Sequence, residues 1–159
     1  MKNNFSKYQG LGNDFIIFDA RSNNLDHLFS KNKDNFIEHL CNRNFGIGAD
    51  GIILILESNN KCFVRMKIYN SDGSEPEMCG NGIRCLIAFL NDNNEINELS
   101  EIPIETKAGL ILTSIDGNEN IKVNMGEPIL SPLDIPTKLL MNSLKVPNGV
   151  ITFKDQILN

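Results

Sequence analysis

Residues Ile83 to Leu90 constrain the fold more than any other stretch. Ile83, Leu86, Ile87 and Leu90 recur at helical spacing, and Cys85 adds a further small apolar side chain among them. The helix they predict is apolar on most sides, so it must be buried, and the rest of the chain must surround it. The surrounding elements read as strands. Phe5 to Tyr8 and Phe15 to Asp19 are joined by the turn Gly10-Leu11-Gly12-Asn13. Ile52 to Leu56 is a strand by its β-branched content, and Cys62 to Asn70 runs antiparallel to it across the loop Glu57 to Lys61. Ile102 to Lys107 and Leu110 to Ile115 make a hairpin about Ala108-Gly109. The turn Asp116-Gly117-Asn118 leads into Asn120 to Met125. A shorter helix is predicted from an Asp34 N-cap to about Asn42, with Phe36, Ile37, Leu40 and Cys41 inward and His39 outward. The expected class is α+β, with mostly antiparallel strands wrapped around one central apolar helix.

From Pro128 the texture changes. Pro128, Pro132, Pro136 and Pro147 interrupt any long element, leaving Val150 to Phe153 as one further short strand. The expected division is a domain over 1–128 and a proline-interrupted tail, or the start of a linker, over 129–159.

The bulk properties exclude several classes of function. A net charge of −5 argues against nucleic acid or an anionic membrane surface as partner. Apolar runs such as Ile52 to Leu56 are too short to cross a bilayer. Met1-Lys2-Asn3-Asn4-Phe5 offers no apolar leader, so the expectation is a cytoplasmic protein whose cysteines (Cys41, Cys62, Cys79 and Cys85) stay reduced. Asn91 to Asn97 reads as a solvated loop.

The chemistry points to the loop between the strand ending at Asn70 and the buried helix. It is rich in Gly, Asn and Asp and ends in Cys79-Gly80-Asn81-Gly82. The free N–H groups and positive dipole end of a helix N-terminus favour an anion, so a cysteine there is more readily a thiolate. Glycines carry no Cβ, so Gly80 and Gly82 allow a ligand carboxylate to rest on backbone N–H groups. Most cysteines are simply small buried hydrophobes, and Cys85 reads as one of them. For Cys79 both possibilities stand on the residues alone, although a core cysteine has no need of Gly-Asn-Gly beside it. Gly46-x-Gly48-x-x-Gly51 matches the letters of a dinucleotide fingerprint, but a helix precedes it and a strand follows. That order is the reverse of what the motif requires, so nucleotide binding is rejected.

The pattern Asn70-x-Asp72-Gly73-Ser74-x-x-x-x-Cys79-Gly80-Asn81-Gly82-x-Arg84 resembles the signature of diaminopimelate epimerases, which epimerise an amino acid without pyridoxal. Lys7-Tyr8-Gln9-Gly10-Leu11-Gly12-Asn13-Asp14-Phe15, Gly46-Ile47-Gly48-Ala49-Asp50-Gly51 and Val123-Asn124-Met125-Gly126-Glu127-Pro128 resemble further blocks of that family. The resemblance implies a domain that occurs twice, with the active site in the cleft between the copies. It implies a proton-transfer cysteine on each side of the substrate α-carbon, and Cys79 is the one in this chain. Gly80 and Asn81 would offer backbone N–H groups and an amide to the substrate. Asn13 and Asn70 would hold the polar groups at its far end. Asp72 and Arg84 match the signature too and are expected to be structural. Gly51 stands where some members carry a polar residue that touches substrate, and it can offer only backbone.

No cofactor and no metal are implied, and the partner is diaminopimelate. The second lobe is not visible before Asn159; a homodimer sharing one cleft is the other way to supply it. Two alternatives accompany this expectation. One is a related reaction on the same fold, such as proline racemisation or a phenazine-type isomerisation. The other is an inert truncated module or a zinc domain using Cys79, Cys85 and His39, for which Cys-x5-Cys is poor spacing.

Overall fold

The computed structural model describes residues 4–22, 25, 29, 33–58, 60–96, 101–116 and 120–130. Along them run β1 (Ser6–Gly10), β2 (Asn13–Asp19), α1 (Lys33–Cys41), β3 (Gly51–Leu56), β4 (Val64–Asn70), α2 (Gly80–Asp92), β5 (Ile102–Thr106), β6 (Gly109–Ile115) and β7 (Ile121–Val123). The strands form one sheet in chain order. β2–β3 and β4–β5 are parallel and the other neighbours antiparallel. Parallel neighbours cannot be joined by a tight turn, and each parallel step is where the chain inserts a helix. Both crossovers step the same way across the sheet, yet β4 and β5 run opposite to β2 and β3. The preference for right-handed crossovers then puts the two helices on opposite faces.

Side-chain alternation along the strands fills both faces. Phe15, Ile17, Ile53, Ile55, Val64, Met66 and Ile68 pack with Ile83, Leu86, Ile87 and Leu90 of α2. Ile16, Phe18, Ile52, Leu54 and Tyr69 pack on the other side with Ile37 and Cys41 of α1. β3 is buried at every residue because it is covered from both sides. α2 touches β1 and β7, the two outermost strands, as well as β2, β3 and β4, so the sheet curls around it. Each of its fully buried Ile and Leu side chains contributes roughly 1.5–3 kcal/mol.

The expectation of one central helix is therefore corrected. α2 is the enclosed helix, but α1 closes the other face of the same sheet. The bounds also differ in instructive ways. α2 begins at Gly80, three residues before Ile83, so Gly-Asn-Gly is its first turn and not a loop ahead of it. Gly82 is held there because its backbone lies against Ile68 and Ile53, where a Cβ would meet their Cδ1 atoms at 3.0 and 3.4 Å. Asp34 lies inside the first turn of α1 and is not its cap, a position still favoured by the helix dipole. Phe36 is 36% exposed and meets Phe29 edge-on, so it is not inward.

The chain divides into two compact units, Met1–Met125 and Gly126–Asn159. In the second, residues 126–130 are exposed and carry no helix or strand. The expected strand Val150 to Phe153, the tail from residue 131 onward, Asn97 and the turn residues Gly117-Asn118 lie outside the described residues. No helix among the described residues is long and apolar enough to cross a membrane.

Candidate active site

Asn70 ends β4, and the loop after it folds back on that residue. The Asn70 N–H donates to the Ser74 carbonyl at 2.9 Å and the Gly73 N–H to the Asn70 carbonyl at 3.0 Å. Asn70 Nδ2 donates to Ser74 Oγ at 2.9 Å. Ser74 Oγ and N–H in turn donate to Asp72 Oδ1 at 2.5 and 2.9 Å. Gly73 takes φ +79°, with the Asp34 backbone so close that a Cβ would meet its Cα at 2.7 Å. The spacing Asn-x-Asp-Gly-Ser is therefore that of one closed turn, in which Asp72 is a structural acceptor. Asn70 is left with its amide plane fixed. The rest of the loop is pinned from the β5–β6 turn, by the Ala108 N–H on the Glu77 carbonyl and Lys107 Nζ on the Glu75 carbonyl.

The loop delivers Cys79 as the N-cap of α2. Its backbone is extended (φ −143°, ψ 115°), and its Sγ accepts the Gly82 N–H at 3.4 Å. The Cys79 carbonyl takes the Ile83 N–H at 2.9 Å, starting the helix. Of the first-turn donors this leaves the N–H groups of Gly80 and Asn81 without a helical acceptor. A thiol, two N–H groups and the positive end of a 13-residue helix thus converge on one point. The Asn81 side-chain oxygen accepts a bond from the Arg84 guanidinium, which fixes the amide and places Arg84 along the helix.

The two cysteines inside the helices contrast with Cys79. Cys85 and Cys41 are buried, and that burial pushes each thiol up to about 11. At neutral pH a thiol-alkylating reagent is expected to label Cys79 well ahead of both, read by peptide mass mapping of the folded protein. Faster labelling of Cys85 or Cys41 would contradict the arrangement. Cys79 and Cys85 lie with α2 on one face of the sheet, while His39 projects from α1 on the other, so they do not form a zinc set.

Asn13 opens β2 beyond a two-residue turn in which Leu11 and Gly12 both have positive φ, at 57° and 83°. The alternation that turns Phe15 and Ile17 toward α2 turns Asn13 the same way, as it does Asn70 after Met66 and Ile68. Gly10, paired with Asn13, sits against the first turn of α2, where a Cβ would be 3.5 Å from the Asn81 carbonyl oxygen. Asn13, Asn70, Cys79, Gly80 and Asn81 are thus brought to one end of the sheet on one face. Gly51 pairs with Asn70 there, and a Cβ on it would stand 2.4 Å from the Tyr69 carbonyl oxygen, so the strand pairing excludes a side chain.

Sequence reasoning missed a charged network beside these residues. The Asp14 carboxylate meets Arg43 at 2.6 Å and Lys7 at 3.0 Å, and Arg43 also meets Asp50 at 2.8 Å. The Arg43 guanidinium holds the Asp14 carboxyl well below the usual carboxylate range. Arg43 precedes the Gly46–Gly51 loop, which caps α1, and Asp50 lies within it. Gly46, Ile47, Gly48 and Ala49 donate N–H bonds to the carbonyls of Asn42, Leu40, Leu40 and Cys41. The fingerprint-like glycines serve that packing, since a Cβ on Gly46 would lie 2.0 Å from the His39 carbonyl oxygen. The signals available in the sequence were Asp50 inside the glycine block, Arg43 just before it and Asp14 in the block that ends at Phe15.

Known proteins resemble this chain in sequence and in fold. Residues 5–131 match the sequence profile described as diaminopimelate epimerase. A diaminopimelate epimerase of Prochlorococcus marinus (strain NATL2A) is 99% identical over 159 residues, all of this chain and 56% of that protein. A chloroplastic diaminopimelate epimerase of Oryza sativa subsp. japonica is 49% identical over 135 residues, 85% of this chain and 37% of the relative. The chain spans about half the length of the curated relatives it matches most fully. Among solved structures, a hydroxyproline epimerase from Agrobacterium vitis is similar in fold, with TM-score 0.56 and 14% identity over 75% of this chain and 40% of that one. A phenazine biosynthesis protein of the PhzF family from Bacillus anthracis has TM-score 0.52 and 20% identity, over 76% of this chain and 38% of that one.

Proposed function

The chain belongs to the diaminopimelate epimerase family, and from that premise we propose that it forms one of two lobes that interconvert LL- and meso-diaminopimelate, a step of lysine and peptidoglycan synthesis. Cys79 at the N-cap of α2 carries this proposal. Epimerisation requires removal of a very weakly acidic α-proton and return of one from the opposite face, hence one group on each side of the carbon. Cys79 takes the proton as thiolate in one direction and gives it as thiol in the other; a cysteine of the opposing lobe does the converse. The electron pair left at the α-carbon spreads into the substrate carboxylate, which the N–H groups of Gly80 and Asn81 hold at the helix N-terminus. Asn13 and Asn70 grip the polar groups at the distal end. The chemistry needs no cofactor.

In this account residues 1–128 are the first lobe and 129–159 lead toward the second, with a homodimer as the other source of an opposing face. A mechanism resting on free thiols suits the reducing cytoplasm. A hydroxyproline epimerase shares the fold, but the signature from Asn70 to Arg84 favours diaminopimelate. The test joins this chain to the remaining half of a near-identical relative and offers the product LL-diaminopimelate, proline and trans-4-hydroxyproline. Turnover of diaminopimelate alone is expected. Preference for either proline substrate would replace this function with the related one.

A further inference from the structure

We infer that Asp50 is a positioning residue that locks Asn13 and Asn70 into a single substrate-gripping unit, with Arg43 holding it in place. The two asparagines lie 57 positions apart in the sequence, the difference between 70 and 13, on strands separated by β3. Asp50 stands between them and bonds to the neighbour of each. Its carboxylate accepts the Asp14 N–H at 3.0 Å. Its own N–H donates to the Asp14 carbonyl at 3.0 Å and lies 3.2 Å from Asp14 Oδ1. On the other side its carbonyl accepts the Ser71 N–H at 3.0 Å. Both residues that grip the substrate's far end are thus one peptide unit away from the same aspartate.

Two carboxylates this close repel unless a cation lies between them. Arg43 supplies it with a fork that reaches both Asp14 oxygens, at 2.6 and 3.1 Å, and Asp50 at 2.8 Å. Its backbone is fixed in turn by Gly48, where a Cβ would meet Arg43 Cα at 2.9 Å. The network does not touch Cys79. It therefore governs where the distal end of the substrate is held, and through that whether the α-carbon sits in register with the thiol.

The inference rests on the functions proposed for Asn13 and Asn70, and its test separates the two. In the two-lobe protein, Asp50→Ala is expected to lower kcat/KM for LL-diaminopimelate on the order of tenfold to a hundredfold, the scale of a small misplacement. The rate of Cys79 alkylation without substrate stays unchanged. Asp50→Asn, which keeps an acceptor for the Asp14 N–H, recovers part of the loss. Arg43→Lys, which retains charge but not the fork, gives a smaller loss in the same direction and serves if Asp50→Ala fails to fold. Combining Asp50→Ala with Asn13→Ala adds little to the Asn13 variant, because the Asp50 side chain acts through the Asp14 N–H beside Asn13, while the bond to Ser71 beside Asn70 comes from the Asp50 backbone and survives the change. Multiplying effects, or unchanged kcat/KM in both Asp50→Ala and Arg43→Lys, would overturn the inference. Unchanged kcat/KM in both Asn13→Ala and Asn70→Ala would overturn the gripping function itself, and the inference with it.

Discussion

Replacing Cys79 by Ala in the two-lobe protein is expected to abolish epimerisation, with turnover lower by on the order of 10³-fold or more, while the fold survives. A positioned acid or base contributes about 10²–10⁴-fold, and here the lost group is half of a two-base pair. The stability cost is small because the side chain is partly exposed and makes one described bond, accepting the Gly82 N–H. Losing an N-cap acceptor costs about 1 kcal/mol. Cys79→Ser separates the two roles. Its hydroxyl can still cap the helix, so the thermal midpoint should lie nearer that of the parent, yet an alcohol is too weak an acid to exchange the α-proton. Thermal melts and an epimerisation assay on both variants decide the matter. Turnover retained in either one removes Cys79 from the mechanism.

Gly46→Ala should damage the fold more than the same change at any other glycine among the described residues. The new carbon would stand 2.0 Å from the His39 carbonyl oxygen and 2.7 Å from that of Leu40, both backbone atoms in the last turn of α1. Neither can yield without undoing the bonds that Ile47, Gly48 and Ala49 make to the end of that helix. A cost of about 3 kcal/mol or more follows, at the upper end of overpacking. Gly12→Ala is the control: its φ is +83° with open space around it, so only left-handed strain of about 1–2 kcal/mol applies. Denaturant midpoints of the two variants should differ clearly. Equal midpoints would mean that the loop does not pack on α1 as described, which would also release Arg43 and Asp50 beside the site.

What the sequence disclosed and what it concealed follow from locality. The enclosed helix was legible from Ile83, Leu86, Ile87 and Leu90, because helical spacing is a property of one short segment. Its true start was concealed, since glycine disfavours a helix by about 1 kcal/mol and nothing near Gly80 announces that Gly82 will rest on Ile68 and Ile53. The uniformly apolar run Ile52 to Leu56 held the sign that both faces of the sheet are covered, and with it the place of α1. The turn Asn70 to Ser74 was legible because its bonds close within five residues, the span 70 to 74. The Asp14–Arg43–Asp50 network was not, as its members come from three segments that meet only after β2 and β3 pair. Asn13, by contrast, could be singled out only through its place in a family-like block; its orientation toward α2 is a consequence of strand register.

The central claim is that Cys79 serves one face of an α-carbon and needs a second lobe to serve the other. Incubation of LL-diaminopimelate in deuterated water tests it directly, once with the 159-residue chain and once with the same chain joined to the second half of its near-identical relative. The joined protein should produce meso-diaminopimelate carrying deuterium at the inverted α-carbon, and the chain alone should produce none at a useful rate. Efficient inversion by the chain alone, with light scattering showing a monomer, or no inversion by the joined protein, would contradict the account.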